Sequence, residues 1–190
     1  MKKAFLGVLI LLFAAAITFL FLKIKQNKNL GGPAKPPPPI NAAIMKIQSY
    51  AFGNNQIIPS KYTCDGENIN PPLEFVDVPK NISTLVLIVD DPDAPMGTWV
   101  HWTVWNIAPD INLVAENSVP QSSVQGKTSS GQNVYGGPCP PSGTHRYFFK
   151  LFALDSKLTV PSYSTAADLE KAMQGHILDE AELVGLYKRP

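Results

Sequence analysis

The chain has 190 residues, a formal net charge of +1 and two cysteines, which is length enough for one domain with a core and a tail and too few cysteines for a disulfide scaffold or a zinc site. Residues 1–43 carry six lysines and no acid, so the rest holds ten basic against fifteen acidic side chains. An acidic globular part argues against a nucleic-acid surface.

In chain order, residues 1–30 read as a membrane anchor or signal segment. Residues 4–22 are uncharged and apolar; as a helix they rise roughly 28 Å, close to a bilayer core. The expectation is a single transmembrane helix that places the domain outside the cytoplasmic membrane. The competing reading is a secretory signal, cut near Ala14-Ala15-Ala16, which would release the domain. Residues 31–43 begin "GGPAKPPPPI", a flexible and then extended linker. The globular domain is assigned to residues 44–190.

Strand signals fill the first two-thirds of that domain. "IMKIQSYAF" (44–52) alternates loosely. "TLVLIVD" (84–90) is a continuous apolar run, the mark of a central strand. "VHWTVWNI" (100–107) alternates, and "RYFFKLFALD" (146–155) is a further strand. Long Pro-, Gly- and Asn-rich loops cover 53–72 and 109–142; loops of that length are functional or packed on themselves. Helix appears late. Ser164 or Thr165 caps a helix, with Asp168 completing the cap. Gly175 ends it, and residues 177–186 read as a second helical segment. Strands first and helices last give a mostly β fold: an antiparallel β-sandwich with peripheral short helices and a C-terminal helical segment.

Polar side chains cluster where the central strand ends. "DPDAPMGTWVHW" (91–102) follows the apolar run. Asp90, Asp91 and Asp93 must be paired or solvated there; the plain alternative is a strand-end turn in which Asp91 receives backbone N–H groups. Pro92 and Pro95 stiffen the turn, and Ala94-Pro95 is a candidate cis bond. His101 and His145 each open a strand beside a Pro/Gly-rich loop. In "YGGPCPPSGTHRY" (135–147) the glycines Gly136, Gly137 and Gly143 let backbone N–H groups approach a ligand. N–H groups, imidazoles and a tyrosine hydroxyl together suit an anion. Cys64 and Cys139 form one bridge or remain two thiols; the residues alone leave both open.

"DPDAP", "WVHW" and "GPCPPSGTHRYFF", in that order, resemble the phosphatidylethanolamine-binding protein family in its bacterial Raf-kinase-inhibitor-like branch. "YTCDGENINPPLEF" (62–75) and "AMQGHILDEAELVGLY" (172–187) extend the resemblance over about residues 44–189. It implies a β-sandwich with a small pocket at one end that binds phosphate-type groups, including phospholipid heads. Carried over by position, Asp91 and Asp93 match the acids of the first motif. Trp99 and His101 match the second; Pro140, Pro141, His145 and Tyr147 match the third. The resemblance also puts Cys64 and Cys139 in pocket loops, close enough to bridge. The stretch between Pro95 and Trp99 is shorter than in animal members, and their terminal helix is unmatched, so kinase inhibition does not carry over.

The implied function is a binding module for a small anion or phospho-headgroup, with regulation of a partner protein or lipid handling as consequences. No enzyme activity, cofactor or resident metal is expected, and the residues identify no protein partner. The alternatives are a hydrolase, using His101, His145 and an Asp around a metal or Cys139 with His145 as thiol and base, and a protease-inhibitory protein. Neither "GxSxG", "HExxH" nor a phosphate-loop pattern is present.

Overall fold

A computed structural model describes residues 44–190. Its strands in chain order are β1 (Lys46–Gln48), β2 (Gln56–Ile57), β3 (Leu73–Val76), β4 (Thr84–Asp91), β5 (Trp99–Ile107), β6 (Leu113–Val114), β7 (Val124–Gln125), β8 (His145–Leu154) and β9 (Ile177–Tyr187), with helix α1 (Ala166–Met173) before the last strand. They form two sheets. One is three-stranded in the order β1-β3-β6; the other is six-stranded in the order β2-β9-β8-β4-β5-β7. Every pairing is antiparallel except β2 with β9.

The large sheet is covered on both faces, which is why β4 is apolar without alternation and buried throughout. Leu85, Leu87 and Val89 face the small sheet, in one cluster with Trp102, Val104, Phe149, Leu151, Ile47 and Phe75. Val86, Ile88, Trp105 and Leu154 face the other way, under Leu169 and Met173 of α1. The capping box of α1 forms at Thr165, whose side chain accepts from the Asp168 N–H while the Asp168 carboxylate accepts from the Thr165 N–H. Gly175 follows the helix at φ +81°.

Three expectations are corrected. Residues 177–187 are not helical: they form β9, paired along its length with β8 from His145↔Tyr187 to Leu154↔Ile177. The stretch is rich in helix formers, but β8 offers a full ladder partner and Leu183 and Tyr187 a place in the core, so tertiary pairing overrides local propensity. No cis peptide occurs among the described residues, so Ala94-Pro95 is trans. The third concerns the membrane: among the described residues no helix is long and apolar enough to cross one. The segment 4–22, on which the transmembrane helix was expected, lies outside them. The fold is thus a mostly β sandwich with one α-helix among the described residues, and the transmembrane helix is no part of it.

Candidate functional site

The strand ends place the polar groups. β4 finishes at Asp91, β5 begins at Trp99, and β8 begins at His145, all at one end of the large sheet. Asp91 Oδ1 accepts the Asp93 N–H at 2.8 Å, the strand-end turn given as the plain alternative for this acid. Its other oxygen accepts Nδ1–H of His145 at 2.7 Å. These side chains are buried: Asp91 is 3 % exposed, His101 6 % and His145 7 %.

They line a concavity of about 350 Å³. Asp91, Trp99, His101, Pro141 and His145 are on its wall, and so are Cys64 and Cys139. The two sulfurs are joined in a disulfide across 75 positions, with Cα atoms 5.4 Å apart. The bridge ties the 60–68 segment to the 136–141 segment. Backbone contacts repeat the link: Cys64 N–H donates to Pro138 O at 3.1 Å, and Gly137 N–H to Asn68 Oδ1 at 2.7 Å. The Cys64 segment is held from behind by the C-terminus, where Arg189 and the Tyr187 hydroxyl both donate to Asp65.

Other expected site residues stand outside the wall. Asp93 turns away to Arg146, accepting from Nη2 at 2.7 Å, Nε at 2.9 Å and the backbone N–H at 3.0 Å. That guanidinium holds its carboxyl down at about 2. Asp93 therefore latches the rim turn onto β8. Pro140 is buried and is no part of the lining. Tyr147 lies beneath the floor, its ring edge-on to His101 with centroids 5.2 Å apart. Burial, then the Asp91 carboxylate, pushes its phenol up, so it stays protonated.

The glycine N–H groups differ from expectation too. Gly136 N–H donates to His101 O at 2.9 Å, and Gly137 N–H is taken by Asn68. Neither is free for an anion. The pocket gains instead Asn68, Thr128 and Ser130. These polar residues sit in long loops with no strand periodicity, and nothing in their spacing distinguishes them from surface residues.

His101 Nδ1–H donates to Gly136 O at 2.6 Å. Burial outweighs the acceptors around the ring and lowers its affinity for a second proton. Among the described residues, no group of three or more His, Cys, Asp or Glu side chains is placed to hold a metal ion.

The profile of the phosphatidylethanolamine-binding proteins matches residues 48–188. The chain belongs to that family. A UPF0098 protein of Methanothermobacter thermautotrophicus is 50 % identical over 150 residues, which is 76 % of this chain and 99 % of the relative. One from Pyrococcus horikoshii is 48 % identical over 153 residues, covering 76 % and 77 %. Among solved structures, a family homologue from Chlamydia trachomatis superposes with a TM-score of 0.75 at 43 % identity, over 77 % of this chain and 99 % of that one. Escherichia coli YbcL, described as a new member of the mammalian phosphatidylethanolamine-binding protein family, gives 0.73 at 29 % identity, over 78 % and 100 %.

Proposed function

We propose that this domain is a non-enzymatic binding module for a small phosphate-type anion, free or as a phospholipid headgroup. The observation that carries the reading is convergence: His101, His145 and Asp91, from three separate strands, meet in one concavity of about 350 Å³. That size suits a headgroup-sized ligand. Both rings have Nδ1 fixed by a partner, which leaves each Nε2 as the nitrogen able to meet a ligand. Family membership supports a ligand-binding role. The thiol alternative needs a free Cys139, and Cys139 is bridged.

Titration calorimetry of the full-length protein tests this, with phosphoethanolamine and a short-chain phosphatidylethanolamine as separate ligands. Binding of the lipid but not the free monoester assigns the site to headgroups on lipid; the reverse assigns it to soluble esters. The double variant His101→Ala/His145→Ala should fold and lose binding of either. Unchanged affinity in that variant refutes the assignment.

A further inference from the structure

The pocket is acidic in its surroundings, and several of its hydrogen-bond donors are engaged within the protein. Carbonyl oxygens only accept, so the 2.6 Å contact with Gly136 O fixes the proton of neutral His101 on Nδ1. Its Nε2 then carries a lone pair. The Gly136 and Gly137 N–H groups are engaged. Asp91 accepts from His145 and from the Asp93 N–H. The Thr128 hydroxyl lies 2.9 Å from Gln132 O and 2.9 Å from Ser130 Oγ. Thr128 has one proton, and Gln132 O can only accept it, so the Ser130 hydroxyl donates to Thr128 and turns its lone pairs outward. With His101 neutral, its Nε2 and the Ser130 hydroxyl oxygen present lone pairs to an incoming anion, which needs donors.

We propose that anion binding at this pocket takes up one proton, and that His101 Nε2 carries it. The inference rests on the anion-binding reading above. Protonation changes Nε2 from acceptor to donor, at the group that burial keeps neutral in the free protein. The balance is simple: H⁺ leaves solvent, an Nε2–H bond forms, and that bond donates to the anion. The groups facing His101 are Asp90 and Asp91 from β4, and His145 and Tyr147 from β8. Asp90 is itself paired with Lys150 at 2.6 Å. Asp91 is engaged by His145, which adjoins the Asp93–Arg146 latch. Tyr147 stays neutral. Each carboxylate thus has a positive or donor partner of its own, and the ligand's negative charge completes the set that favours the His101 imidazolium.

The test is calorimetry of the full-length protein with sulfate, whose charge is constant from pH 6 to pH 9, in buffers of different ionisation enthalpy. The expected result is uptake of about one proton near pH 7.5, with affinity falling about tenfold per pH unit above it. His101→Gln, whose amide donates without a proton from solvent, should bind sulfate more weakly than wild type at pH 6, without proton uptake and with a flat pH profile. In wild-type protein the His101 ring resonance should titrate at higher pH once sulfate is bound, a reading that needs no variant. Sulfate binding without proton uptake, or uptake that persists in His101→Gln, overturns the inference and leaves the anion reading standing. Failure of sulfate, phosphate and phosphoethanolamine alike to bind at any pH from 5 to 9 overturns both.

Discussion

Breaking the Cys64–Cys139 bridge is the perturbation whose size the structure sets most directly. The bond closes a loop of 75 positions. Chain-entropy arithmetic for that length gives about 4.5 kcal/mol at 25 °C, and measured effects commonly fall at about 2–4 kcal/mol. The lower figure is the better expectation here. After reduction the Cys64–Pro138, Gly137–Asn68 and Tyr135–Tyr62 hydrogen bonds keep the native loops near each other, but those loops gain some freedom too, which offsets part of the gain of the unfolded chain. We expect the oxidised protein to exceed both the reduced protein and Cys64→Ser/Cys139→Ser by about 3 kcal/mol. Guanidinium denaturation of all three forms measures it, with the slope checked for a change in the unfolded state. Equal midpoints for oxidised and reduced protein would refute the entropic argument. Because both cysteines line the pocket, the same samples should show a weaker ligand affinity on reduction.

Two further predictions concern the groups that shape the pocket without facing a ligand. A Cβ on Gly137 would lie 2.5 Å from Tyr62 O and 2.8 Å from Thr63 Cα; Gly137→Ala must therefore move backbone, costing about 1–3 kcal/mol and separating the two bridged loops, read out as a lower melting temperature with weaker phosphoethanolamine binding. Asp93→Asn removes the latch to Arg146. The folded pKa of Asp93 is lowered to about 2, so its stabilisation is present above about pH 4 and lost as pH falls towards 2. Solvent exposure of Arg146 keeps the contribution small, and wild type should exceed the variant in stability above about pH 4, with the difference closing as pH falls towards 2.

The sequence made the large sheet legible where burial leaves a mark. The unbroken run of β4 and the inward positions of β5 and β8 are apolar because both faces are covered. The site was legible through residues whose chemistry is costly elsewhere: Asp91 and the two histidines are buried polar groups at strand ends, and such groups need partners. What could not be read was pairing. Whether 177–187 coils or extends depends on the free edge of β8 far upstream. Whether Asp93 faces the pocket or Arg146 depends on the direction of one turn. The free N–H groups expected of Gly136 and Gly137 were consumed by His101 O and Asn68 Oδ1, partners 35 or more positions away that composition does not reveal.

On the proposed reading, an acidic domain whose pocket donors are partly consumed must hold its anion by another means. Residues 44–190 carry five more acidic than basic side chains, so on the proposed reading no long-range field draws the ligand in. Affinity must arise locally, after contact, from groups that change state when the anion arrives. The nearby acids do not cancel it, because Asp90 faces Lys150, Asp91 faces His145 and Asp93 faces Arg146. Each carboxylate is matched on its own side of the sheet or rim, and on the wall the Nε2 atoms of His101 and His145 are left to meet a ligand. On that reading such a site would discriminate by proton and geometry more than by charge: it would reject cations poorly when neutral, and it would hold an anion most tightly while the His101 ring is protonated.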